Sequence, residues 1–169
     1  EQIHINQGKI ILDYLFFLGQ IDNGMLYREN YSAIYWSFLY LVTTIFPKHY
    51  QIEVSHLVNL FFSIGTIIGI SNLNKEIFNK IVGKITFLVL FFYPVFFGHM
   101  SFNNKDTILA FSHVWITYYI FRYIKNQNIK IKTNKNIFLI GLLIAISMGI
   151  QMVFLGSLLP LFIFLFIDI

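Results

Sequence analysis

The stretch "VSHLVNLFFSIGTIIGISNL", residues 54–73, decides the fold class of this chain. It contains no Asp, Glu, Lys or Arg. As a helix, a segment of this length covers about 30 Å, the thickness of the hydrocarbon core of a bilayer. The whole chain is 57% hydrophobic and only 12% charged, whereas soluble domains carry about 25% charged residues. We therefore predict an all-α, polytopic helical membrane protein.

Further apolar segments lie on both sides of this span. Residues 31–46 are short and rich in Tyr and Trp, which prefer the lipid–water boundary. This segment either crosses the membrane or dips into its outer interface, and the aromatic residues favour the dip. Residues 137–167 are too long for one span, so a break is expected near Gly149, Gly156 or Pro160. The predicted transmembrane helices are 54–73, 81–97, 106–121, 137–153 and 154–167.

Residues 1–30 are mixed in character and are predicted to form an external juxtamembrane loop. Residues 10–18 are apolar but too short to span a bilayer, which is typical of an amphipathic helix at the membrane surface. The chain starts at Glu1 and ends in an apolar run, which indicates part of a longer protein. We treat 1–169 as a single transmembrane domain.

The basic residues concentrate in two connections, one around Lys80 and one from Arg122 to Lys135. Two predicted spans separate these connections, so both lie on the same side, which the positive-inside rule makes cytoplasmic. Residues 98–106 then face outward. The net charge of +4 is explained in this way without a nucleic-acid partner. The richness in Ile, Asn, Lys, Phe and Tyr is typical of an AT-rich genome, so we expect a bacterial inner-membrane protein.

The stretch "PVFFGHMSFNNKD", residues 94–106, places many polar residues between two apolar segments. Its asparagines and Asp106 could simply form a turn and cap a helix. In the functional interpretation, Lys105 offers a positive charge to a phosphate, and Asp106 positions a hydroxyl, a cation or a basic partner. The stretch also supplies two further candidate donors, His99 and Asn103.

Two more candidate groups lie in the first thirty residues. Glu1 and His4 are three apart and would share a helix face, where a carboxylate beside an imidazole suits general-base chemistry or a plain exposed helix end. Arg28 could hold an anionic head group or form an interfacial charge pair. The chain has no cysteine and no metal-ligand spacing, so no metal site is predicted, and a requirement for a divalent cation stays undecided.

Polar and small residues within the apolar segments indicate helix packing. His56 and Asn59 are expected to hydrogen-bond between helices, and the same holds for His113. Exposing a polar side chain to lipid costs free energy, so Gln151 should face the bundle or a cavity. The motif "GTIIG", residues 65–69, favours close approach of a neighbouring helix.

One stretch resembles a known family. "PVFFGHMSFNNKDTILAF", residues 94–111, is similar to the "P-x-F-F-G-H-x-x-x-N-P-K-D-I-P-F-A" stretch of bacterial membrane glycosyltransferases of the GT-C superfamily, near the protein O-mannosyltransferases and the lipid A aminoarabinose transferases. Residues 1–23 resemble the first external loop of that family, with matches at Glu1, His4 and Gly8. Most of the chain is covered by the resemblance.

The resemblance implies an enzyme that takes a sugar from a polyprenyl-phosphate carrier at the outer membrane face. The acceptor attacks the anomeric carbon, usually with inversion. A first-loop Asp, just before residue 1, would act as the base, Asp106 would support the phosphate or the reacting centre, and Lys105 would neutralise the leaving phosphate. The predicted catalytic residues are Glu1 and Asp106. The predicted substrate-binding residues are His4, Arg28, His99, Asn103 and Lys105.

The chain also departs from the family pattern. Asn104 and Leu109 stand where the family has prolines, and Gln151 stands where it has an arginine. Two alternatives remain at this point: a transporter or channel subunit, which would hold polar groups along a pathway, and a membrane module without chemistry. The expected partners are a polyprenyl-phosphate-linked sugar and membrane lipids, with no nucleic acid and no cofactor.

Overall fold

A computed structural model describes residues 2–16, 33–102, 104–125 and 130–167. Within these ranges the chain is helical throughout and forms no strand, so the predicted all-α fold is confirmed. The elements are α1 (Gln2–Leu15), α2 (Ala33–Thr44), a short 3-10 turn (Lys48–Tyr50), α3 (Gln51–Ile77), α4 (Lys80–Phe92), α5 (Pro94–His99), α6 (Asn104–Lys125), α7 (Lys130–Ile150) and α8 (Phe154–Ile167).

Among the described residues, one helical unit is long and apolar enough by itself to cross a membrane. It comprises the 3-10 turn and α3, Lys48–Ile77, and its 30 residues include the predicted span 54–73. Shorter apolar helices are Ala33–Thr44, Asn134–Ile150 and Phe154–Ile163. Whether these shorter helices also cross the bilayer stays a prediction.

Helices α3 and α6 pack side by side at the centre of the fold. Two glycines of α3 make the close contact possible. A Cβ atom added at Gly65 would lie 2.7 Å from Cε2 of Phe111, and one added at Gly69 would lie 2.7 Å from Cγ1 of Val114. Real Cβ atoms do not approach so closely, so a larger residue at either position would require the side chains of α6 or the helices themselves to shift. The close packing predicted for residues 65–69 is confirmed.

The α3–α6 pair is parallel and gives the bundle two chemically different ends. Next to the start of α6, the backbone of Ser101 contacts His56, near the start of α3. At the other end, Nζ of Lys125 lies 2.8 Å from a carboxylate oxygen of Glu76. We call the first the Asp106 end and the second the Lys125 end. The two basic connections predicted to share one side of the membrane meet at the Lys125 end.

The remaining helices surround this pair. Helix α4 packs against α3, and α7 packs against α6; α2 contacts α3 and α7, and α1 lies on α2. Helix α8 contacts α6 and α7. One buried apolar cluster joins α1, α2, α6 and α7 through Ile5, Tyr35, Trp36, Leu39, Ile108 and Ile150. A second joins α6 and α8 through Ile116, Ile120, Phe154 and Leu158.

The N-terminal helix differs from the surface helix predicted over 10–18. Helix α1 begins at Gln2, ends at Leu15 and packs against α2. A Cβ atom added at Gly8 would clash with the carbonyl oxygen of Trp36, so glycine is what lets the two backbones meet. The sequence alone did not show the start of the helix, because its packing partner lies more than twenty residues further along.

The segment 81–97, predicted as one helix, forms two. Helix α4 ends at Phe92, and α5 begins at Pro94. Proline lacks an N–H group and clashes with the preceding turn, so the residue before it leaves the helical region. Tyr93 accordingly has φ −67° and ψ 115°, an extended conformation.

The last apolar run is interrupted between α7 and α8, at residues 151–153. The sequence predicts such a break but points to Gly149, Gly156 or Pro160. Pro160 lies inside α8. The interruption therefore falls between the two glycines and not at the proline.

Candidate active site

The polar stretch 94–106 lies at the Asp106 end, where α5 gives way to α6. His99 occupies the last turn of α5 and is exposed. Lys105 is half-buried in the first turn of α6, next to the exposed carboxylate of Asp106. A negative charge in this first turn is favoured by the helix dipole. The structure therefore gathers an imidazole, an ammonium and a carboxylate at one junction.

Polar side chains of α3 fix the residues between α5 and α6. His56, Asn59 and Ser63 are spaced by three and four residues, so they share one helix face. The Nδ1 atom of His56 lies 2.9 Å from the carbonyl oxygen of Ser101. Because a carbonyl only accepts, this nitrogen carries the hydrogen. The hydroxyl of Ser63 donates to the carbonyl of Met100 at 2.8 Å, so carbonyls that follow α5 find their partners on α3.

We call the hydrogen bonds from His56, Asn59 and Ser63 to the backbone of residues 100–101 the α3 anchor. Asn59 extends this anchor to α2. Its Nδ2 atom donates to the carbonyl of Ser101 at 3.3 Å, and its Oδ1 atom accepts from the hydroxyl of Tyr35 at 2.8 Å. Tyr35 and Asn59 are fully buried, where an unpaired polar group would cost about 1–3 kcal/mol. The hydrogen bond between helices predicted for Asn59 is confirmed, whereas His56 bonds to the turn before α6.

A cavity of about 340 Å³ opens on the face of α6 that carries Asp106. Asp106, Ala110 and His113 are four and three apart, so they line up along that face. His113 lies about 10 Å along the helix axis from Asp106. Gln151, in the break between α7 and α8, faces the cavity, as predicted for a polar residue in an apolar run. The wall is completed by Leu109, Val153, Phe154 and Ser157.

The polar side chains in the described lining of this cavity are those of His113, Gln151 and Ser157. Nδ1 of His113 lies 3.5 Å from Oγ of Ser157, whose hydroxyl donates to the carbonyl of Phe154. The described lining includes no acid. An imidazole, an amide and a hydroxyl suit a hydroxylated ligand. In the part of the chain that the structure describes, no three His, Cys, Asp or Glu side chains are placed to hold a metal ion.

The N-terminal segment also approaches the start of α6. Ile5 of α1 and Ile108 of α6 belong to the same buried cluster. The backbone of His4 lies in α1, next to Ile5. The other predicted site residues, Glu1, Arg28 and Asn103, lie outside the described residues.

One known family covers most of the chain. The family of dolichyl-phosphate-mannose-protein mannosyltransferases matches residues 33–169. The chain belongs to this family. It is therefore an integral membrane glycosyltransferase of the mannosyltransferase type, and the resemblance to GT-C enzymes is confirmed. No curated protein and no solved structure gives a significant match.

Within this mannosyltransferase-family chain, the matched range holds both the α3 anchor and the cavity, whereas α1 precedes it. Sequence reasoning found His56, Asn59 and Gln151 but missed Ser63 and Ser157. The signal for Ser63 was available, since it continues the spacing of three and four residues. Ser157 gave no such signal, because only the break before α8 turns it toward His113.

Proposed function

We propose that the protein transfers a sugar from a polyprenyl-phosphate donor to a lipid, glycan or protein acceptor at the outer face of a bacterial inner membrane. The observation that carries this proposal is the placement of Lys105 and Asp106 in the first turn of α6, one helical turn before Leu109 and Ala110, which line the cavity of His113 and Gln151. Charged groups one turn away from a polar cavity suit a donor with an anionic phosphate and a hydroxylated sugar.

In the proposed reaction, an acceptor hydroxyl oxygen attacks the anomeric carbon of the sugar. The bond from that carbon to the phosphate oxygen breaks, and the phosphate leaves with the electron pair. The ammonium of Lys105 stabilises the charge that develops on the leaving phosphate. The hydroxyl proton passes to the carboxylate of Glu1, while Asp106 positions the reacting groups.

The distribution of charge supports the proposed side of action. Among the described residues, the Asp106 end carries Lys48 and Lys105 beside the acids Glu53 and Asp106. The Lys125 end carries more basic residues, Lys75, Lys80, Lys84, Arg122 and Lys125, beside the acid Glu76. Under the positive-inside rule the Lys125 end is cytoplasmic, so the Asp106 end faces outward. A lipid-linked phosphate lies at that boundary between lipid and water.

A transporter or channel subunit would use the same cavity as part of a pathway. The family membership favours the transferase instead. The charged groups Lys105 and Asp106 lie at one rim rather than along the bundle, which also favours chemistry at a surface.

The experiment that tests the proposal compares two neutralised acids of the same end. Asp106→Asn should abolish transfer of labelled mannose from polyprenyl-phosphate mannose in membranes that hold the full protein. Glu53→Gln, exposed in the first turn of α3, should leave transfer unchanged. Wild-type transfer by well-expressed Asp106→Asn would refute the role of this carboxylate.

The role of Lys105 has its own matched control. Lys105→Gln should raise the KM for the donor, because the phosphate loses its counter-charge. Lys48→Gln removes an exposed lysine near the same end and should not change this KM. An equal rise in both variants would show a general charge effect and not a phosphate contact.

A further inference from the structure

A second cavity lies at the Lys125 end, away from the candidate active site. It measures about 510 Å³ and opens between the last turns of α3 and the first turns of α4. The residues that line it belong to α3 and α4, and none of them lines the cavity of His113 and Gln151. The two cavities are therefore separate. The described lining consists of Ser71, Asn72, Lys75, Lys80, Gly83, Lys84, Phe87 and Leu88.

The cavity rests on a tight contact between α3 and α4. A Cβ atom added at Gly83 would lie 2.8 Å from the carbonyl oxygen of Ser71, and the hydroxyl of Ser71 donates to the carbonyl of Gly83. One turn further on, Nδ2 of Asn74 donates to the hydroxyl of Thr86 at 2.9 Å. Asn79 caps the start of α4. These polar contacts hold α3 and α4 together, and none of them uses a lysine side chain.

The lining carries uncompensated positive charge. Lys75, Lys80 and Lys84 are exposed, and no acid belongs to the described lining. Within the described ranges, none of these three lysines forms an ion pair. The nearby carboxylate of Glu76 is bound to Lys125 instead. An anion entering the cavity would therefore meet three ammonium groups.

The charged part of the cavity continues into an apolar stripe. Lys80, Lys84 and Leu88 are each four residues apart on α4, so they follow one another along a single helix face. Beside this face, the rings of Phe87 and Phe91 stack with centroids 5.9 Å apart. Leu88 is exposed. The order along α4 is thus first cationic and then apolar, away from the Lys125 end.

We propose that this cavity binds an anionic phospholipid, with its phosphate on Lys75, Lys80 and Lys84 and its acyl chains along Leu88 and Phe91. Basic pockets between transmembrane helices on the cytoplasmic side bind anionic head groups. A soluble phosphate ester would match the lysines but would leave the apolar stripe uncovered. The lipid matches both parts, and it occupies the leaflet opposite to the proposed sugar transfer.

Binding is measured with the full protein in a neutral detergent, titrated with phosphatidylglycerol that carries a fluorophore on an acyl chain. The wild type should bind this lipid and should not bind phosphatidylcholine. Lys75→Gln, Lys80→Gln and Lys84→Gln combined should weaken binding about a hundredfold, since each lysine near an anionic lipid contributes about fivefold. Leu88→Gln should weaken lipid binding through the loss of apolar contact.

A matched triple variant, Lys9→Gln with Lys48→Gln and Lys135→Gln, removes the same charge from exposed positions elsewhere and should bind like the wild type. Equal losses in both triple variants, or equal binding of phosphatidylcholine, would overturn the site. Competition by free glycerol 3-phosphate at the concentration of the lipid would overturn the lipid assignment. If the triple variant does not fold, the single variants Lys80→Gln and Lys84→Gln should each show about a fivefold loss, and wild-type binding by both would equally overturn the site.

Discussion

The imidazole of His56 on α3 holds the carbonyl of Ser101, 45 positions later in the chain, at 2.9 Å. Asn59 and Ser63 hold the same backbone from the same helix face. The junction that carries Lys105 and Asp106 is thus positioned by a neighbouring helix and not only by its own turn. The side chains of Asn59 and Ser63 are buried, so the loss of their contacts should affect both stability and activity.

Asn59 offers the most direct test of this anchor. Asn59→Ala leaves the Tyr35 hydroxyl and the Ser101 carbonyl without this amide, and should lower the free energy of unfolding by about 1–3 kcal/mol. Sugar transfer should fall as well, because the start of α6 loses its support. Thermal unfolding in detergent and a transfer assay measure the two effects. Asn6→Ala, an exposed asparagine of α1, is the control, and equal stability of both variants would contradict the anchor.

The contact of α1 with α2 should be sensitive to a single methyl group. Gly8→Ala places a Cβ against the Trp36 carbonyl, and such overpacking costs about 1–3 kcal/mol. Gly141→Ala is the matched control, since nothing lies within 4 Å of its added Cβ. Thermal unfolding should show a lower midpoint for the first variant only. An unchanged midpoint for Gly8→Ala would mean that α1 does not pack on α2 in this way.

The cavity at the head of α6 should depend on Gln151 for transfer. Gln151→Leu removes an amide from the wall, and the loss of one hydrogen bond to the substrate should lower kcat/KM about five- to tenfold. Met152→Leu changes the adjacent, exposed residue and should retain full activity. Steady-state kinetics with polyprenyl-phosphate mannose measures both. Unchanged kinetics in Gln151→Leu would remove this residue from the substrate site.

The Lys125 end should show a small pH-dependent stabilisation. The hydrogen bond from Lys125 lowers the pKa of the Glu76 carboxyl, at the last turn of α3 beyond the apolar segment 54–73. A lowered carboxyl pKa stabilises the fold above the ordinary pKa of the group, and this contribution disappears as the pH falls through the lowered value.

The Lys125 side chain is 52% exposed, so solvent screening limits the contribution to less than about 1 kcal/mol. Unfolding of wild type and Glu76→Gln should therefore differ slightly at neutral pH and coincide in strong acid. A difference that grows toward acid pH would show that the ion pair does not stabilise the protein.

The helical class, the family and the polar character of the α5–α6 junction could be read from the sequence, because they depend on local composition and on one motif. The close packing of Gly65 and Gly69 could also be predicted, since their spacing places both on one face. The limits of α1 could not, because Gly8 has meaning only beside Trp36. Likewise, the spacing of His56, Asn59 and Ser63 shows a shared face but does not reveal what that face binds.

For the same reason, only part of the candidate site could be predicted from the sequence. The position of Asp106 at a helix start follows from neighbouring residues. The cavity below it needs α7 and α8 to bring Gln151 and Ser157 to His113, which is a property of tertiary packing. The basic cavity between α3 and α4 depends on the contact of Gly83 with Ser71, which no local sequence pattern predicts.

The distance in sequence between α3 and the backbone that it anchors has a consequence for biosynthesis. The ribosome completes α3, which ends at Ile77, before it reaches Ser101, so the imidazole, amide and hydroxyl of this helix are synthesised before their acceptors. The hydrogen bonds can form only after α4 and α5 have been synthesised and have folded back toward α3. The junction between α5 and α6 can therefore form only after α3, α4 and α5 have all been synthesised.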